Sequence, residues 1–419
     1  MRKLITAALA ATALTAMPVL ADKGAVLDTY ANIAHAGYGD SLKTAKKLQA
    51  AVNAFVANPS AETQQAAKDA WLMARVPYQQ TEVYRFGNVI VDEWEGKVNA
   101  WPLDEGLLDY TNEAYGGPTD ENPLAVLNIV ANPMFEISGE KVDATKITAE
   151  LLSDTLHEAG ENEANVATGY HAIEFLLWGQ DKSGWDHGAG ERSWTDYAAG
   201  DACTNGNCDR RGELLTVLTD LLVSDLEWMT AQWADGGDAR KAVTMDETAG
   251  ITAMLTGMGS LSYGETGGER MKLGLMLNDP EEEHDCFSDN THNSHFFNGV
   301  GIRNVYLGEY TRVDGTVVSG ASLASLVEAA DAGVNAELVT NLKKSVIALG
   351  RIKTAAEGGF SYDMMLEPNS EAGAGLINGG VDALVTQTKS IERATAALGL
   401  AAIEIEGSDS LDNPKAVFE

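Results

Sequence analysis

His171 and Glu174 stand three residues apart in the stretch GYHAIEFLLWGQD that runs from Gly169 to Asp181. Read as a helix, this segment is apolar on every side, which marks a buried helix. The spacing places the imidazole and the carboxylate on one face. A buried carboxylate is costly unless it is paired or holds a cation. The pair therefore asks for a partner, and a metal ion is the best candidate. The alternative is a buried His–Glu hydrogen bond with no ligand.

Two further groupings could carry chemistry. Trp71, Arg75, Tyr78 and Glu82 fall within an arc of about 60° on a helix. One stripe thus holds an aromatic, a cation, a phenol and a carboxylate. It reads either as ligands and their supports facing a cleft, or as a partly exposed face with an Arg75–Glu82 link. The third grouping lies between Asp279 and His295. Asp279 as N-cap, Pro280 at the first position and Glu282 after it signal a helix start. On a continuing helix Glu281, His284, Asp285, Ser288, His292 and His295 share an arc of about 100°. Three of the chain's seven histidines would then crowd one acidic face. Imidazole with carboxylate suits iron, zinc or another divalent metal, and a solvated acidic face is the alternative. Other catalytic signatures are missing. HExxH does not occur, the stretch from His157 to Glu161 lacks a second His, and Phe175 after Glu174 excludes HxxEH. There is no GxSxG, Walker loop or dinucleotide fingerprint.

The elements that must position these groups are helical. Apolar residues recur at helical spacing from Val26 to Val56, among them Tyr30, Tyr38, Leu48 and Phe55. Asn58 and Pro59 give a stop, and a second helix is predicted to about Phe86 with a bend at Pro77. Residues 87–146 are rich in Gly, Pro and Asn and read as a long connection. Helical pattern resumes near Ile147, lapses over 182–208, and returns at Arg211–Trp233, Thr244–Met258, Asp279–Phe297, Ala321–Ala332, Ala336–Ala356 and Leu376–Leu398. Strand-like alternation is scarce. The fold class is therefore all-α: two up-and-down helical bundles side by side with long connecting loops. The expected divisions are an N-terminal bundle over 22–200, a C-terminal bundle over 201–406 and a flexible tail over 407–419.

Residues 1–21 read as a secretory signal peptide: Arg2 and Lys3, an apolar run from Leu4 to Leu20, and a small-residue cleavage site at Ala21. No later stretch is long and apolar enough to span a membrane. The expected location is the periplasm or cell envelope. The chain has 419 residues and a net charge of −33, which cleavage beyond Arg2 and Lys3 would make more negative. Such a surface repels nucleic acid and anionic membranes and suits cations or a salty exterior. Cys203 and Cys208 lie in a polar loop and are expected to form a local disulfide in an exported protein. Cys286 is left over as a buried free thiol.

Taken together, these residues resemble the imelysin family, and within it the iron-regulated protein A branch. The segment Gly169 to Glu174 is similar to the family's GxHxxE signature. Supporting pieces are Ala74 to Tyr78 with Glu82, Arg85 to Gly87, Trp101 to Asp104, Cys203 to Arg211, Glu283 to His292, and Asn304 to Gly308. The resemblance implies two related helical bundles with the signature helix near their junction, export to the envelope, and a link to iron acquisition. It implies His171 and Glu174 as metal ligands, with Glu82 and Asp104 as companions from the first half. It also supports a role for the stretch holding His284, Asp289 and His292 without saying which side chain coordinates. Trp71, Arg75 and Tyr78 would stand behind the ligands. The implied function is a periplasmic metal-binding protein serving iron uptake, with iron the first candidate metal and zinc the second. Its partners would be the metal ion and an envelope transporter or receptor. A metal-dependent peptidase and a binder of haem or another large ligand, contacted by Tyr78, His171 or His292, are the alternatives.

Overall fold

The computed structural model describes residues 22–112, 115–119 and 122–418. The expected signal peptide lies outside the described residues. Helix α1 (Lys23–Ala57) starts at Asp22, whose carboxylate accepts the Gly24 N–H at 3.0 Å. Helix α2 (Ala61–Gln79) is opened by a reciprocal Ser60–Thr63 capping box. It ends two residues past Pro77, which cannot donate to the preceding turn, and the chain passes into a 3₁₀ turn at Glu82–Tyr84. Helices α3 (Val89–Asn99) and α4 (Glu105–Leu108) follow. A hairpin of β1 (Met134–Ile137) and β2 (Glu140–Asp143), with Met134 opposite Asp143, interrupts the long connection.

Helix α5 (Gly169–Trp178) is buried along its whole length. It packs against α2, α3 and α6 (Cys208–Trp233), so no side of it meets water and its apolar sequence has a physical reason. Cys203 and Cys208 are joined by a disulfide, with Cα atoms 6.0 Å apart. Helices α7 (Asp238–Thr244) and α8 (Glu247–Ser260) come next. A wider-wound i→i+5 segment, Leu261–Lys272, continues α8 into α9 (Leu273–Leu277). Then come α10 (Thr291–Leu307), a hairpin of β3 (Glu309–Thr311) and β4 (Val317–Ser319), and helices α11 (Leu323–Ala330), α12 (Ala332–Glu357), α13 (Tyr362–Leu366), α14 (Glu371–Ala397) and α15 (Asp409–Asp412).

The fold is all-α apart from the two short hairpins. Helix α1 packs along α2 and α6, while α12 packs along α14 and α10. Helix α10 also crosses α2, and this crossing brings the second half of the chain against the helix that carries Arg75. Among the described residues no helix is long and apolar enough to cross a membrane.

One helix expected from sequence is absent. The stretch from Asp279 to Asn290 holds only 3₁₀ turns at Pro280–Glu282 and Cys286–Ser288, and α10 begins at Thr291. Glu283 and Asp285 take extended or irregular backbone, and Asp289 has φ 55°, a left-handed conformation that stops a helix. Local start signals are overridden by the burial of Glu283, His284 and Asp285, of which Asp285 takes Arg75 from α2 and His284 meets Asn99 from α3. The chain end from Gly407, expected to fray, carries α15, where the buried Ser410 hydroxyl donates to the Gly268 carbonyl at 3.0 Å.

Candidate metal centre

Helix α5 begins with Gly169 at φ +82°. A Cβ there would stand 2.5 Å from the Val98 carbonyl of α3. Only glycine lets the start of α5 approach α3 this closely, and two residues later comes His171. His171 and Glu174 are both fully buried. His171 Nδ1 lies 3.0 Å from Glu174 Oε2, and Nε2 has no hydrogen-bond partner. The other Glu174 oxygen accepts from the Ser288 N–H at 3.0 Å and the Ser288 hydroxyl at 2.6 Å. The His171 ring rests against Trp101 and meets the His284 ring edge to face, with centroids 4.7 Å apart.

His284 and Asp285 reach this point because the chain is extended there. One atom from each of His171, His284 and Asp285 falls within 4.8 Å of the others, and all three residues are buried. Burial, and after it the Arg75 guanidinium, hold His171 well below the usual imidazole range. Burial and Arg270 do the same for His284. Both rings are neutral, as a metal ligand must be. Burial alone would raise Asp285, but Arg75, His171 and the hydrogen bonds from Ser294 and Asn290 together outweigh it and hold the carboxyl below its usual range. Burial and then Asp285 push Glu174 well above its usual range.

Arg75 organises the second layer. Its Nη2 donates to Asp285 Oδ1 at 2.8 Å and its Nη1 to Asn99 Oδ1 at 2.6 Å. Its guanidinium lies over the rings of Trp71, Tyr78 and Tyr170, 5.0 Å from the last. Trp71, Arg75 and Tyr78 lie together on one face of α2, beside Asp285. Arg75 does not pair with Glu82; the Asn99 amide stands between them and donates to Glu82 Oε1 at 2.5 Å. Glu82 accepts further from Arg270 Nη1 at 2.6 Å and Asn298 at 2.6 Å. Its oxygens are committed to these donors.

The other sequence candidates lie elsewhere. Asp104 accepts from Tyr115 at 3.1 Å and from Asn122, in the loop ahead of α4. His284, Asp289 and His292, a stretch to which the resemblance assigns a role, face different neighbours. Asp289 meets Asp181 and Asp363. His292 pairs with Asn293 at 3.1 Å. Asp285 and Asn99 are the residues that sequence reasoning placed least well: Asp285 was one of six on a helical face that does not exist, and no motif marks Asn99.

An acidic cleft of about 580 Å³ leads to His284. Glu93, Glu95, Glu158, Glu163, Glu265, Glu269 and Glu282 line it, with Arg85, Asn99, Trp101 and Arg270 among the remaining residues. A family model described as imelysin matches residues 34–391, most of the chain and both halves of the site. The chain belongs to the imelysin family. The imelysin resemblance extends to solved structures. A Parabacteroides distasonis protein described as a "putative iron-regulated protein A precursor" superposes with a TM-score of 0.65 at 19% identity, over 92% of this chain and 97% of that one. An imelysin-like protein from Psychrobacter arcticum gives 0.55 at 15% identity, over 90% and 96%. At these identities they show the shared fold. Iron-regulated protein A of Synechococcus elongatus is 34% identical over 64 residues. That match covers 15% of this chain and 18% of the curated relative's length.

Proposed function

We propose that this imelysin is an exported protein of the cell envelope that binds a divalent metal, iron foremost, and serves iron uptake. The carrying observation is the pair of neutral, fully buried imidazoles whose His171 Nε2 and His284 Nδ1 have no hydrogen-bond partner, beside an ionised Asp285. Unpaired buried nitrogens are costly, and a cation ligated by them removes that cost. Two imidazoles and one carboxylate form a donor set that suits ferrous iron or zinc. His171, His284 and Asp285 would hold the metal. Glu174 takes the orienting place: with a cation bound, its oxygen 3.0 Å from His171 Nδ1 would accept that N–H and leave Nε2 for the ion. The acidic cleft supplies an approach for cations and disfavours anions. The names of the relatives, each an iron-regulated protein A or an imelysin, agree with this reading.

The test is metal analysis of protein isolated from its native envelope, followed by calorimetric titration of the stripped protein with ferrous iron and with zinc. One strong site is expected. His171→Ala combined with Glu174→Ala should abolish it while circular dichroism stays helical. Unchanged affinity in that double variant would refute the site.

A further inference from the structure

We propose a second cation site, independent of the His171 centre, in which Asp181, Asp289, Asp363 and Glu283 bind a hard divalent ion, calcium by preference. One oxygen from each of Asp181, Asp289 and Asp363 lies within 4.8 Å of the others. Glu283, on the extended chain ahead of His284, is close enough to feel the carboxylates of Asp363 and Asp289. It is 1% exposed, Asp363 is fully buried, and no oxygen of either carboxylate accepts a hydrogen bond. Among the described residues no Lys or Arg forms an ion pair with any of the four. The nearest cationic candidate is His187, with Nδ1 3.8 Å from Asp289. Asp289 Oδ2 has only the Gly188 N–H at 3.2 Å as a donor.

Unscreened carboxylates packed together repel. Burial, followed by the Asp289 carboxylate, raises Asp363 to about 8. The Tyr362 hydroxyl beside Glu283 is buried and also lacks a partner. A structure that gathers four acids without a counter-charge is organised for a cation. The donors are all oxygen, which suits a hard ion rather than the softer metals that imidazole favours. Magnesium keeps most of its waters and takes one or two carboxylates, whereas calcium accepts many oxygens in flexible geometry. A neighbouring cavity of about 200 Å³, bordered by Asp181, Trp185 and Glu281, gives access.

The position gives the site a consequence. Glu283 and Asp289 bracket the segment that carries His284 and Asp285. A cation held by the outer pair fixes both ends of the chain that delivers the inner pair to His171.

The experiment uses the mature full-length protein stripped with EDTA. Terbium luminescence excited through tryptophan, with Trp185 close by, reports occupancy, and calcium is titrated both directly and in competition. One calcium per chain is expected, in the affinity range of extracellular calcium modules. Asp289→Asn and Asp363→Asn should each weaken it by about tenfold or more, and His171→Ala should leave it unchanged. In EDTA at pH 9, where Asp363 is ionised, Asp363→Asn should melt above the wild type, because a repelling charge is gone, and calcium should no longer raise its melting temperature. Absence of calcium and terbium binding by the wild type, or wild-type affinity in both Asn variants, would overturn the proposal. Loss of calcium in His171→Ala would also overturn it, by assigning the ion to the other centre. Loss of ferrous iron binding in that same variant bears only on the His171 reading.

Discussion

Arg75 and Asp285 form an ion pair at 2.8 Å with 1% and 0% of their side chains exposed. Removing one member of a buried pair strands the other charge, at a cost of about 3–5 kcal/mol. Arg75→Met should therefore lower the unfolding free energy of the metal-free protein by that order in urea titration. Arg75→Met with Asp285→Asn should recover most of it, because the stranded charge is gone. His295 makes a separate prediction. Both ring nitrogens are buried without partners, and burial followed by Arg270 lowers the ring to about 3 from the ordinary 6.5. Between those values the unfolded chain holds a proton that the folded chain refuses, so stability falls as pH falls. The slope is about 1.4 kcal/mol per pH unit, or about 2 kcal/mol by pH 5. His295→Leu should reduce the difference in urea stability between pH 7 and pH 5 by about 2 kcal/mol; an unchanged difference would mean that the ring is not held neutral. At this scale the sequence was informative where the signal is local. His171, Glu174 and the Trp71–Arg75–Tyr78 stripe follow from helical spacing. The partners Asn99, Arg270 and Asp285 come from remote segments, and spacing along the chain carries no information about them.

Helix α5 depends on how close its start lies to α3. Gly169→Ala would require a left-handed alanine and would place a Cβ 2.5 Å from the Val98 carbonyl. The conformation alone costs about 1–2 kcal/mol, and the overlap forces α5 to shift. The expected result is a loss of about 2 kcal/mol or more in unfolding free energy, together with weakened metal binding as His171 moves from His284. Wild-type metal affinity in a destabilised Gly169→Ala protein would show that α5 tolerates the shift. Helices α1, α2 and α6 were legible because each carries an apolar period against one core, and α5 because it is apolar on every side. The stretch from Asp279 to Asn290 misled for the converse reason. It has a good N-cap, a proline at the first position and acids in the first turn, all local signals. Its path is set instead by tertiary demands: the Asp285 oxygens take Arg75 and Asn290, and the Asp285 N–H takes the Thr291 hydroxyl. Arg75 lies far outside the twelve residues, and no helical pattern marks Asn290 or the adjoining Thr291 as a partner of Asp285.

The buried apolar core is continuous from Val26 in α1 to Ala394 in α14, with a smaller cluster around Met271, Leu349 and Ile377. The expected division near residue 200 falls just ahead of α6, which packs on α1 and α5. We propose that the two halves unfold together, which a single calorimetric transition would support and two resolved transitions would refute. The net charge of −33 acts over the same span. Carboxylates gather around the cleft that reaches His284, where Glu93, Glu163 and Glu269 are exposed. Exposed charges are screened within about 10 Å at 0.1 M salt and about 3 Å at 1 M, whereas His171, His284 and Asp285 are buried and scarcely screened. Salt should therefore act on arrival and not on escape. In stopped-flow measurements the association rate of zinc is expected to fall by about tenfold or more between low and high salt, with the dissociation rate nearly constant. Replacing Glu93, Glu163 and Glu269 with Gln should flatten the salt dependence of association while leaving the metal-free stability close to wild type, because surface changes of this kind cost little. An equal salt slope in that triple variant would mean that the whole surface steers the cation and that the cleft has no special part in it.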